Sequence, residues 1–199
     1  MLRTVSLVTP PAAEPITLEE ARLHLRVTGT EEDSLITSLV TASRRAAEGK
    51  TNRALMLQTW RLSLDRFPYP DNAPILLPRP PFGSVTAFTY TDATGAGQTL
   101  TTGATTLVDR GVCAELVPAY GTVWPVAREH PGSVQITYTA GYASAADVPA
   151  EIKAWMKIHL ATLYENRDLV LRGLEASASF LPGRFVDGLL DPYIVPFTS

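Results

Sequence analysis

Apolar residues recur at helical spacing over the first fifty positions, alternate with polar ones from Leu55, and return to helical spacing after Val148. Thr17-Leu18-Glu19-Glu20 has the form of a reciprocal cap, the Thr17 hydroxyl taking the Glu20 amide while Glu20 reaches back. A helix is therefore expected over 18–27, with Leu18, Ala21 and Leu25, extended by Leu23 and Val27, on its apolar side and Gly29 ending it. A second is expected over 31–51. Thr30 opens it, Glu31, Glu32 and Asp33 suit the positive end of its dipole, and Leu35, Ile36, Leu39, Val40, Ser43 and Ala47 form its stripe. Asn52 closes it in the left-handed conformation. A third is expected over 149–166, with Asp147 as cap, Pro149 in its first turn, and Ile152, Trp155, Met156, His159, Leu160 and Leu163 on one side.

The middle of the chain has period two. Trp60, Leu62 and Leu64 alternate with Arg61, Ser63 and Asp65, and Val134, Ile136 and Tyr138 alternate with Gln135 and Thr137. Between them, short strands are expected at Ile75-Leu76-Leu77, Val85 to Tyr90, Gln98 to Thr102, Thr105 to Val108 and Cys113 to Val117, with a turn over Asp92 to Gly97. Six prolines between 66 and 83 exclude a helix there. The pattern predicts an α+β fold: a small helical bundle with an inserted antiparallel β-rich module and an apolar C-terminal tail. The division expected is 1–54 for the N-terminal helices, 55–140 for the β insertion, 141–171 for a helix packing back on the first ones, and 172–199 for the tail.

Length and composition fit a folded, water-soluble protein: 199 residues, 45% hydrophobic and 19% charged. Cys113 is the only cysteine, which excludes an internal disulfide and suits a reducing compartment. The apolar run Val5 to Val8 before Pro10 and Pro11 is too short for an export signal or a membrane span. A net charge of −3 argues against a protein whose main task is gripping nucleic-acid phosphates.

No arrangement of residues announces catalysis. Gly49-Lys50-Thr51 matches the end of a phosphate-binding loop, but Arg44 stands where the first glycine belongs and the triplet closes a helix instead of opening one. Glu19, Glu20 and Glu31 to Asp33 are explained by capping and the helix dipole. His24, His130 and His159 lack metal-ligand spacing, and His159 is expected to be hydrogen-bonded beside the core. Cys113 reads as a small buried hydrophobe. No catalytic residue, cofactor site or metal site is assigned. A ligand-binding β module with helical flanks and an uncharacterised enzyme stand as alternatives, both of which would show a ligand-dependent rise in melting temperature.

The joints carry a more specific signal. Pro15-Ile16-Thr17-Leu18-Glu19-Glu20-Ala21 is followed by Leu23-His24-Leu25-Arg26-Val27, Asn52-Arg53-Ala54-Leu55 and Gln58-Thr59-Trp60. Then come Leu77-Pro78-Arg79-Pro80-Pro81, Tyr138-Thr139-Ala140-Gly141-Tyr142, Val148-Pro149-Ala150-Glu151-Ile152-Lys153 and Tyr164-Glu165-Asn166-Arg167. In that order they resemble the head-tail connector, or head-completion adaptor, proteins of long-tailed phages, prophages and gene transfer agents, over about residues 14–170. The resemblance implies a non-enzymatic virion subunit, made in the host bacterial cytoplasm and assembled as an oligomeric ring, twelve-fold in expectation. That ring would lie between the portal protein on the head side and a tail-side connector or terminator protein, pass DNA transiently without binding it specifically, and involve no membrane and no cofactor. The tail is too apolar for a solvated terminus, so it either folds back on its own domain or docks on another subunit, and Phe180, Phe185, Leu189, Leu190, Tyr193 and Ile194 are the residues expected to meet a neighbouring subunit or the portal.

Overall fold

The computed structural model describes residues 3–70, 72–166 and 186–196. The fold is α+β, as the pattern predicted, and the chain divides into two compact units, one of strands and one of helices.

The β unit comprises residues 3–12 and 56–142. Its strands are β1 (Arg3–Thr9), β2 (Gln58–Leu64), β3 (Ile75–Leu77), β4 (Phe82–Thr91), β5 (Gly97–Thr99), β6 (Thr105–Asp109), β7 (Ala114–Pro118) and β8 (Val134–Ala140). They form a five-stranded antiparallel sheet, β1-β2-β8-β4-β5, and a three-stranded one, β3-β7-β6. The central strand β8 shows why alternation was legible: Val134, Ile136, Tyr138 and Ala140 are buried, while Gln135, Thr137 and Thr139 are half-buried on the other face. Leu62 pairs with Ile136 and Leu64 with Val134, placing branched side chains opposite one another on the buried face. Arg3 donates to Leu76 O and the Tyr138 hydroxyl to Pro78 O, which hold the segment around β3 against the larger sheet. Phe67, Phe88, Tyr90 and Trp124 fill one end; Phe67 and Trp124 stack at 5.3 Å and Phe67 meets Tyr90 edge-on at 5.5 Å.

Two readings of the middle are corrected. β1 was not expected; residues 3–9 leave the N-terminal helical segment and pair with β2, Leu7 opposite Trp60 and Arg3 opposite Leu64. Cys113 is not buried but half-exposed just before β7, where Arg110 N bonds its carbonyl in the turn between β6 and β7.

The helical unit comprises residues 13–55, 143–166 and 186–196, with α1 (Leu18–Leu25), α2 (Asp33–Thr51) and α3 (Ala150–Glu165). α1 begins with the expected reciprocal cap, Thr17 Oγ1 accepting from Glu20 N at 3.1 Å and Glu20 Oε2 from Thr17 N at 3.0 Å. It ends earlier than Gly29: Arg26 adopts the left-handed conformation, φ 58°, and its amide closes on the last carbonyls. α2 starts at Asp33 with Glu32 at the cap position, its side chain turned to other partners than the first helical amides, and not at Glu31 after Thr30, because the Thr30 carbonyl takes the Asp33 amide in a preceding turn. Arg22 pairs with Asp33 across that turn. Asn52 caps α2 left-handed, φ 54°. Asp147 does not cap α3. It ends a short 3-10 turn capped by Ser144, and Pro149 occupies the cap position.

α2 buries Ile36, Val40, Ser43, Ala47 and Thr51 on one stripe, and α3 buries Ile152, Trp155, Met156 and Leu160 against it. Leu23 is 81% exposed, so it faces away from this core.

Candidate interaction surfaces

The C-terminal stretch 186–196 folds back on the helical unit through a set of specific bonds. Val195 N donates to Thr51 O at 2.9 Å, and Asn52 Nδ2 returns a bond to Val195 O at 2.8 Å. The left-handed turn at Asn52 leaves the terminal carbonyls of α2 without intrahelical donors, and the returning chain supplies one. Arg53 donates to Tyr193 O, and the Tyr193 hydroxyl donates to Glu151 at the start of α3. Asp187 accepts from Trp155 Nε1 at 3.0 Å and from Lys50 at 2.9 Å, and these two donors hold its carboxyl below the usual range.

Of the residues expected to meet a partner, Leu190 is buried within the unit, Leu189 and Tyr193 are half-buried, and Ile194 is 47% exposed. Phe180 and Phe185 lie outside the described residues. Asp187, the anchor of the fold-back, was missed, since nothing near it in sequence pairs with it.

His159 lies at the seam of α2 and α3, its ring stacked on Trp155 at 4.8 Å and its Nδ1 3.2 Å from Ser43 Oγ. Burial, then the nearby Lys50, lower its pKa; Asp187 opposes them. This is the hydrogen-bonded histidine beside the core that the sequence predicted. Lys50 and Thr51 of the Gly-Lys-Thr triplet are both engaged, Lys50 with Asp187 and Thr51 Oγ1 with Ala47 O. The triplet ends a helix. Among the described residues, no group of three His, Cys, Asp or Glu side chains is placed to hold a metal, and no helix is long and apolar enough to cross a membrane.

The grooves of the β unit are shallow and gather at one end. A volume of about 370 Å³ is lined by Phe67, Tyr69, Trp124, Val126 and their neighbours, and one of about 280 Å³ by Asp65, Arg66, Glu129, His130 and Pro131. Trp124 Nε1 donates to Ala73 O, tying the two loops that form this end. Tyr69 is 89% exposed and Val126 76%; Tyr120 and Val123, on the same loop as Val126, are also exposed. The sequence held a signal for this surface, apolar side chains in a Gly- and Pro-containing stretch without strand periodicity, and it was not read.

The fragments that carried the resemblance are structural joints. Ala54 and Leu55 are fully buried after the Asn52 turn, and Leu55 N is received by Glu48. Arg79, at φ 70°, lies over the Trp60 ring at 5.2 Å. Gly141, at φ 114°, passes so close to Met56 that a β-carbon would fall 2.0 Å from its carbonyl oxygen. Tyr164 bonds Glu32 across the bundle. Each of these groups sets how elements join.

Residues 15–79 match the family described as phage gp6-like head-tail connector protein. A search of curated proteins finds no match. Solved structures that resemble the chain include one from the neck of an empty gene transfer agent particle computed with C6 symmetry, 26% identical, with a TM-score of 0.76. Others come from the virion of a native gene transfer agent particle, 27% identical with a TM-score of 0.73, and from the neck of a native particle computed with C12 symmetry, 25% identical with a TM-score of 0.73. Each alignment covers 98% of this chain and 97% of the other. The connector match thus falls on α1, α2, β2 and β3, and the likeness to neck proteins of gene transfer agent particles runs along nearly the whole chain.

Proposed function

We propose that the chain is a structural subunit of a phage-type head-tail junction, built into an oligomeric ring in the virion neck. The observation that carries this is the fold match over 98% of the chain to proteins from particle necks, joined to the connector match on residues 15–79. In this reading the ring is twelve-fold, contacts the portal on its head side and a tail-side connector or terminator on the other, and lets DNA pass without specific binding. The protein is made in the host cytoplasm, and its work is assembly, without catalysis.

Ile194, with the half-buried Leu189 and Tyr193, forms the described part of the contact made by the tail; Phe180 and Phe185 enter this reading from their apolar character in the sequence alone. Leu190 supports that contact from inside its own unit. Ile194 is a large aliphatic side chain left half in water on a segment otherwise pinned by hydrogen bonds, which suits a surface covered on assembly.

Inactivating the gene tests the main reading. Electron micrographs of lysates should show filled heads and separate tails that do not join, and supplying the protein in trans should restore joined particles. Normal particles made without it would overturn the reading. Ile194→Asp tests the contact: it should reduce joining by at least tenfold with an unchanged melting temperature, and normal joining would remove Ile194 from the interface.

A further inference from the structure

The β unit carries two exposed apolar patches that its own fold does not use, and they lie at opposite ends of the same strands. One is the loop end, where Tyr69 and Val126 line the groove over Phe67 and Trp124 and Tyr120 and Val123 stand exposed on the same loop as Val126. The other holds Leu7 and Val8 near the end of β1 and Leu57 just before β2, each between 42% and 49% exposed. β1 and β2 are antiparallel, so Leu7 lies at the start of β2 opposite Trp60, while Leu64 leads directly into Asp65 and Arg66 at the groove. Seven strand residues separate the ends, roughly 20 Å at the usual rise.

Among the described residues β1 is the outer strand of its sheet, and no charged residue stands between Arg3 and Glu14. Folded chains usually guard such an edge with a charge or cover it, because its free backbone groups invite a partner.

We propose that the β unit makes a head-to-tail contact between copies, the loop patch of one copy covering the Leu7-Val8-Leu57 patch of the next. This rests on the ring reading. A ring closed by rotation needs two unlike surfaces on each subunit, one for each neighbour, and two unlike apolar patches at opposite ends of a rigid sheet meet that need. The occupant is a second copy because both patches are then covered at every junction, whereas one partner of another kind would leave one of them bare. Exposed tyrosines offer roughly 150–250 Å² each, so with the two valines the loop patch is on the order of 500 Å². That is more than half of the roughly 800 Å² one partner gives to a stable interface, the remainder coming from the polar rim. The ion pair of Arg66 with Glu129 leaves that rim close to neutral, which suits an uncharged opposite face.

Crosslinking in assembled particles tests the proposal. On a Cys113→Ser background, Val8→Cys and Val126→Cys are introduced singly and together, particles are treated with a short bismaleimide, and gels are probed for this chain. The double variant should give a ladder of multimers, each single variant only monomers, and the two single variants co-expressed no more than dimers. Absence of a ladder while mass spectrometry finds the chain in the particles would overturn the head-to-tail contact and leave the ring reading standing. Dimers from either single variant would overturn it too, since they mark a two-fold contact. Particles that join normally yet lack the Cys113→Ser chain would overturn the ring reading itself. Should the cysteine variants fail to enter particles, Val126→Lys supplies the second measurement: it should abolish joining with an unchanged melting temperature, and normal joining overturns the contact.

Discussion

Arg44 is a charged side chain in the interior of the helical unit, 4% exposed, between Glu14 and Glu48 at 2.8 Å each. Glu48 also receives the Leu55 amide at 3.0 Å, so one network fixes the entry into α1, the body of α2 and the exit after Asn52. Removing one member leaves buried charges without their partner, which commonly costs about 3–5 kcal/mol. Arg44→Met should therefore lower unfolding stability by about 3 kcal/mol in urea titration, although it adds apolar surface to a core position. Gly141 is decisive in another way. A β-carbon there would lie 2.0 Å from Met56 O and 2.8 Å from Leu57 N, both backbone atoms that cannot swing aside, and φ is 114°. Gly141→Ala should cost at least about 3 kcal/mol, through strain and the displaced start of β2, and should shift the melting temperature by many degrees.

At the scale of elements, the seam of α2, α3 and the returning C-terminal stretch is sensitive to acid. His159 has its folded pKa lowered from 6.5, so the unfolded chain binds the proton first as pH falls; this stability is complete above about 6.5 and is lost toward the lowered value. Asp187 and Glu151 also have lowered folded values, from 3.8 and 4.5, so their contribution is present above those values and lost on further acidification. Two steps are expected: a fall in melting temperature between pH 7.5 and 5.5 that His159→Gln removes, and faster hydrogen exchange at the Val195 amide below about pH 4 that Asp187→Asn removes. A melting temperature independent of pH in the first window would exclude the histidine step.

Elements held by local spacing were legible. The stripe of α2 and the alternation of β8 are visible in sequence because neighbours three, four or two residues apart share a face. β1 was not, since its pairing partner lies more than fifty residues away and only that partner turns a short apolar run into a strand. Helix ends shifted by a few residues for the same reason: the Thr30 turn, the Arg22 to Asp33 pair and the Ser144 cap are settled by contacts, and several residue types fit each position. The joint at Gly141 was readable because the position admits only glycine, and that at Asn52 because few residue types adopt its left-handed conformation. The exposed loop patch was readable in principle and overlooked, because its signal is apolar residues where no element needs them.

At the scale of the whole molecule, charge bears on the proposed passage of DNA. Seventeen basic side chains face twenty acidic ones, and several arginines are already committed: Arg22 to Asp33, Arg44 to Glu14 and Glu48, Arg66 to Glu129 and Arg110 to Glu115. A duplex offers one phosphate charge per about 1.7 Å of helix axis, and tight binding requires many uncommitted cations along one face, each displaced counterion steepening the salt dependence. Assembly multiplies the acidic excess with every copy added. In the proposed ring, a channel that DNA must leave works best when it holds the duplex weakly. Fluorescence anisotropy with a short duplex should therefore give binding no tighter than about 10 µM near physiological salt, within the non-specific range, for monomer and assembled protein alike. Nanomolar binding that collapses between 50 and 200 mM salt would mean that the ring grips its cargo by many phosphate contacts, and passive passage would have to be given up.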